Sequence, residues 1–131
     1  KHSLDTSGNG GDTFKLALFT SSASLGAATT AYSTSNEVSG TGYSAGGTAL
    51  TNTGVGLTST TAFTDFSDVS FTSASFTANG CLIYNTTTAG GSGTTNAVCA
   101  IAFGGDKTVS SGTFTIQFPT NDSSSAIIRL T

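Results

Sequence analysis

The chain has 131 residues, of which 36% are hydrophobic and only 8% charged, with a net charge of −3; this fits one domain with a buried core and speaks against intrinsic disorder. Lys1, Lys15, Lys107 and Arg129 are its only fixed cations, too few and too scattered for the clustered phosphate contacts of direct nucleic-acid binding. No run approaches the roughly 20 apolar residues that cross a bilayer, so no membrane role is expected, and the opening KHSLDTSGNGG lacks the apolar centre of a signal peptide.

Residues 1–11 read as a flexible N-terminal arm, and the absence of an initiator Met is what a trimmed, cleaved or internally started chain would show. DTFKLALFT then alternates with period two, with Phe14, Leu16 and Leu18 on one face and Lys15 keeping the other at least partly wet. Only GAATTAYSTSNE offers a place for a helical turn, and its Ser and Thr content opposes a long helix. TALTNTGVGLTS predicts one or two short strands around Leu50, Val55 and Leu57, and TAFTDFSDVSFTSASFTA places aromatics at 63, 66, 71 and 76. Asn79-Gly80 fits a hairpin turn or a bulge in one long strand running into CLIYN, with the bulge favoured. NAVCAIAFGG follows, and Gly104-Gly105-Asp106-Lys107 is expected to turn the chain. GTFTIQFP points Phe114, Ile116 and Phe118 inward until Pro119 ends the strand. After TNDSSS, a turn sequence, AIIRLT forms a last strand with Ile127 and Ile128 on opposite faces. The longer loops fall at 21–36, 86–95 and 119–125. The fold class is therefore all-β: residues 1–131 form a single β-sandwich or jelly-roll-like domain of about eight short antiparallel strands. Its expected core is Leu16, Leu18, Phe76, Ile83, Ile101, Phe114, Ile116 and Phe118.

GYSAG, at 42–46, spells G-x-S-x-G, the form of a nucleophile elbow. That chemistry needs a helix behind Ser44, a histidine base after it and an acid to orient the base. The one histidine, His2, lies far upstream, and GTALTNTG after Gly46 is not an elbow helix. The motif thus reads as a glycine-rich bend between strands; no catalytic residue is assigned, and the chain is not expected to be an enzyme. GTGYSAGG also has the wrong spacing for a dinucleotide loop. Asp65 and Asp68 in FTDFSDVSF fall on or near one turn rather than across a cleft, and read as turn formers. The spacing of calcium loops is missing, as is a Cys/His cluster for zinc, so neither metal nor cofactor is expected. Asn85-Thr-Thr and Asn121-Asp-Ser match glycosylation acceptors and, without a secretory signal, count as chance. Cys81 and Cys99 lie in two apolar runs joined by a Thr/Gly-rich loop, and a symmetric hairpin would set them face to face. A cross-strand disulfide and a pair of buried thiols are both open; unlinked thiols close in space are favoured, since nothing demands an oxidising compartment.

In their linked order, DTFKLALFTSSASLGAATTAY, TSNEVSGTGYSAGGTALTN, FTDFSDVSF, GCLIYN and AVCAIAFGGDKTVSSGTFTIQFP resemble a family of small structural proteins of tailed bacteriophages and prophages. The resemblance runs from about Asp12 to the C-terminus, and NEVSGTGYSAGG is its most telling block. It implies a virion component, made in the host cytoplasm. The favoured role is a capsid decoration, or cement, protein on the outer capsid surface, with the major capsid protein and copies of itself, as a trimer, for partners. The alternative is a tail- or fibre-associated structural or receptor-binding module, which would meet a surface glycan through Tyr32, Tyr43 or Asn/Asp loop residues. In this family the G-x-S-x-G spelling belongs to a structural loop. Such relatives usually carry a short segment before the first strand, which KHSLDTSG lacks or has lost.

Overall fold

The computed structural model describes residues 11–87 and 95–131, over which seven strands build two antiparallel sheets without a helix. The arm assigned to 1–11, His2 included, lies outside the described residues except for Gly11. The strands are β1 (Phe14–Phe19), β2 (Thr48–Leu50), β3 (Asn52–Thr58), β4 (Thr61–Phe66), β5 (Val69–Asn85), β6 (Ala97–Ile116) and β7 (Ile128–Leu130). The larger sheet has the order β2-β1-β5-β6 and the smaller the order β3-β4-β7. The chain changes sheets at Thr51, so TALTNTGVGLTS supplies two strands, one to each sheet. The main core joins Phe14, Leu16, Leu18, Phe71, Phe76 and Ile83 of the larger sheet to Phe66 of the smaller, which makes the fold a β-sandwich.

The expected eight short strands become seven because two sequence signals for turns are the two sides of one bulge. Ala78 pairs with Lys107 and Gly80 with Ala102, so Phe103 to Asp106 stand opposite Asn79 alone. Asn79 Nδ2 donates to Asp106 Oδ1 at 2.8 Å across that irregularity. Gly104-Gly105-Asp106-Lys107 therefore does not reverse the chain; β6 continues through it for 20 residues beside a β5 of 17. A second irregularity lies between Phe71 and Phe76, where Ser73 on β5 and Ser111 on β6 take φ of 50° and 48°. Each extra residue re-phases the alternation. The core-facing side chains of β5 run Phe71, then Ala74, Phe76 and Ala78, then Cys81 and Ile83.

GAATTAYSTSNE forms no helical turn. It crosses the second face of the larger sheet and is held by bridges from Ala31 to Asn96 and from Phe19 to Glu37. Under it, Ala17, Phe19, Leu82 and Tyr84 form a second small core with Leu25 and Tyr32. The centre of the sheet is thus covered on both faces, while Lys15 stays half-buried. Of the expected core, Leu16, Leu18, Phe76 and Ile83 are buried, but Ile101, Phe114, Ile116 and Phe118 are partly exposed. The cause is position: β6 is the edge of its sheet, and its inward side chains sit at the margin of the core.

Candidate functional site

The GYSAG loop lies between the first two strands and is fixed by Glu37, the only glutamate in the chain. Glu37 Oε2 accepts from the Tyr32 hydroxyl at 2.7 Å, and Oε1 accepts from the Tyr43 hydroxyl at 2.5 Å and from the Gly46 N–H at 2.7 Å. The Tyr84 hydroxyl donates to the Gly46 carbonyl at 2.7 Å, and the Leu18 N–H donates to the Tyr43 hydroxyl at 2.9 Å. All three tyrosines of the chain thus converge on one carboxylate and one glycine. Tyr32 and Tyr84 stack with centroids 4.4 Å apart. Burial, then the bond to Glu37, pushes the Tyr32 and Tyr43 hydroxyls well above the usual tyrosine range. They remain donors, and hydrogen bonds to a charged acceptor contribute about 1.5–3 kcal/mol each.

Gly42 and Gly46 both have positive φ, 78° and 88°, as a glycine-rich bend requires. At Gly47 a Cβ would meet the Leu16 carbonyl oxygen at 1.9 Å, so only glycine lets this loop lie against β1. Ser44 is exposed on a turn closed by the Gly47 N–H donating to its carbonyl, and the chain continues into β2, not a helix. Glu37 carries the loop's organisation, yet no motif marks it; its being the sole glutamate, within NEVSGTGYSAGG, was the available signal. Tyr32 and Tyr43, named as glycan contacts for the tail alternative, are half-buried with their hydroxyls engaged.

The other sequence candidates separate. Asp65 is not a turn residue: it lies in β4, fully buried, where Oδ1 accepts from the Phe66 N–H at 2.8 Å and Oδ2 from the Ile127 N–H at 3.0 Å. Asp68 sits in the connection to β5 and accepts from the Phe118 N–H at 2.7 Å. The pair therefore clasps two points of the C-terminal segment. Asn85 is completely buried, its Nδ2 donating to Asp12 Oδ2 at 2.7 Å, so a glycan there would have to displace the fold. Asn121 is half-buried, with Nδ2 donating to the Gly54 carbonyl at 3.1 Å. Among the described residues no three His, Cys, Asp or Glu side chains gather as a metal site, and no helix is long and apolar enough to cross a membrane.

Cys81 and Cys99 are unlinked. They are not face to face: Cys81 pairs with Ile101 and Cys99 with Ile83, a diagonal offset on one face. Burial pushes the Cys81 thiol up to about 12 and raises that of Cys99 as well.

Cys81 lies at the floor of a groove of about 510 Å³, walled by Ile101, Phe103, Phe114, Ile116 and Phe118 of the long hairpin side and by Ile127. Among the described residues Lys107 is its only charged lining residue. A second open apolar surface belongs to the smaller sheet. Val55 pairs with Thr64, Leu57 with Ala62, and Ala62 with Leu130, so these side chains share one face. Nearer the core that face carries buried Thr64 and Phe66; beyond it Val55, Leu57 and Leu130 are 56%, 71% and 71% exposed. The groove and this patch are open apolar surfaces. No known family, curated protein or solved structure matches the chain.

Proposed function

We propose that the protein is a structural component of a tailed-phage virion, a decoration protein that binds the outer capsid surface and cements neighbouring capsomers. The observation that carries the binding role is the open apolar surface along β6 and the smaller sheet, in a chain with 8% charged residues. Covering such surface gains about 25 cal/mol per Å² and desolvates few charges. Stable specific interfaces bury about 1,600 Å² in total, and contacts repeated over a shell add by avidity. The virion assignment itself rests on the ordered sequence blocks from Asp12 onward. In this reading the major capsid protein and copies of the same chain, as a trimer, are the partners. The protein is not an enzyme, and Ser44 serves a structural loop.

The test is a quantitative gel and a reconstruction of purified particles. The expected result is a copy number comparable to that of the major capsid protein, on the outer face, with heads lacking the protein leaking DNA at lower temperature. A few copies confined to the tail would replace decoration with the tail-associated role. Heads without it that are as heat-stable as complete ones would remove the cementing function.

A further inference from the structure

Cys81 and Cys99 stand at opposite corners of a four-residue patch on the β5–β6 pair. Cys81 pairs with Ile101 and Ile83 with Cys99, and all four side chains pack on the main core. Diagonal neighbours across an antiparallel pair have Cα atoms about 7–8 Å apart, with Cβ atoms somewhat closer. A disulfide needs Cβ atoms about 3.5–4.5 Å apart, and a Cα separation above about 7 Å cannot be bridged without moving backbone. Direct bonding of the two sulfurs therefore requires β5 or β6 to shift. One atom placed between them does not: a metal–thiolate bond is about 2.3 Å long, so a linear ion holds two sulfurs about 4.6 Å apart. The two side chains also lie within electrostatic reach of each other. Burial first, and then the charge of a Cys99 thiolate, disfavours ionisation of Cys81.

Among the described residues no third His, Cys, Asp or Glu joins the pair. Structural zinc takes four ligands. Two soft sulfur ligands alone suit a monovalent ion that accepts linear coordination, Cu(I). Cys81 and Ile101 line the open groove, which gives an ion a route from solvent, and Ile83 is fully buried beside Cys99. We infer that Cys81 and Cys99 form a two-coordinate site for a monovalent thiophilic cation, Cu(I), bridging β5 and β6. Binding forms two copper–sulfur bonds and releases both thiol protons to solvent, with no change in the oxidation state of copper or sulfur. The resulting complex carries one negative charge, and Lys107, in the lining of the same groove, supplies one positive charge to offset it. This inference stands without the virion reading, because its test uses purified protein with no particle present.

The experiment titrates the reduced full chain, without oxygen, with Cu(I) buffered by the coloured chelator bicinchoninate. The expected result is one Cu(I) withdrawn from the chelator per chain, with both cysteines then protected from alkylation and the mass by light scattering unchanged. Zinc added in excess leaves the copper in place. Cys81→Ser and Cys99→Ser each weaken binding by at least about a hundredfold, more than the loss of an outer-shell partner costs a metal site. Far-ultraviolet dichroism checks that both variants are folded, and Cys81→Ala replaces the first should it fail. A chain that takes no Cu(I) from the chelator overturns the inference. So does uptake that survives the loss of either cysteine, because one thiol then suffices. A rise in mass on adding copper also overturns it, because the ligands then come from different chains.

Discussion

β5 and β6 are paired along nearly their whole lengths and carry similar alternating sequences, yet they differ completely in burial. β5 ends in six consecutive buried residues, Gly80 to Asn85, whereas no residue of β6 is buried. The difference follows from their neighbours. β5 has β1 on its other side, and there both faces are covered, by the main core and by the 20–36 crossing. Among the described residues β6 has no further strand beside it. Alternation specifies which face of a strand turns inward; the depth reached is decided by sheet position, a property of the whole chain.

The most severe test of this contrast is Phe76→Ala on β5. Phe76 is 7% exposed and contacts Phe71, Tyr43 and Phe114, so the expected loss is about 3–5 kcal/mol in denaturant titration. The two thiols give a second comparison without mutation, one on each strand. At pH 8 native Cys99 should react with an alkylating reagent at least about tenfold faster than Cys81, whose thiolate is suppressed by a higher pKa and complete burial. Both should be modified in denaturant without reductant. Equal native rates would mean that β5 opens as readily as β6. Phe114→Ala on β6 should cost only about 1.5–2.5 kcal/mol in dilute monomer, since its ring is partly exposed. A cost matching that of Phe76→Ala and rising with concentration would show the groove filled by another copy. The smallest effect is at the second irregularity of the β5–β6 pairing. Ser111→Gly should stabilise by roughly 0.5 kcal/mol, because glycine relieves the left-handed φ of 48° at some entropic cost. Ser110→Gly, one residue earlier and outside that conformation, should destabilise.

The sequence exposes the period-two pattern of β1 and of residues 113–118, and with it the all-β class. It also marks the bulge at Asn79-Gly80, since the core-facing residues Phe76 and Ala78 are followed by Cys81 after a step of three. It misplaces Gly104-Gly105 as a chain reversal, because positive φ serves a turn and a bulge alike, and only the pairing of Lys107 with Ala78 tells them apart. The offset of Cys81 from Cys99 is likewise a matter of register, Cys81 pairing with Ile101 and Cys99 with Ile83, which no local pattern specifies. Asp65 looked like a turn residue because its partner, the Ile127 N–H, is 62 positions away. The glutamate clamp was hidden for a related reason. Its ligands come from three separate places in the loop, and its supports Leu18 and Tyr84 come from β1 and β5. The groove and the patch on the smaller sheet are apolar surface left uncovered, and a linear pattern that reveals inward faces carries no mark of where coverage stops.

The gathering of Tyr32, Tyr43 and Tyr84 around Glu37 and Gly46 gives the molecule a built-in optical reporter. The chain has no tryptophan and no other tyrosine, so its tyrosine absorption and the tyrosine band of its near-ultraviolet dichroism arise from this one spot, including the stacked rings of Tyr32 and Tyr84. Far-ultraviolet dichroism follows the strands instead. Release of the 32–46 loop from the sheet would therefore be seen as a change in one spectral band while the other holds still, separating detachment of the loop from unfolding of the sandwich in unlabelled protein.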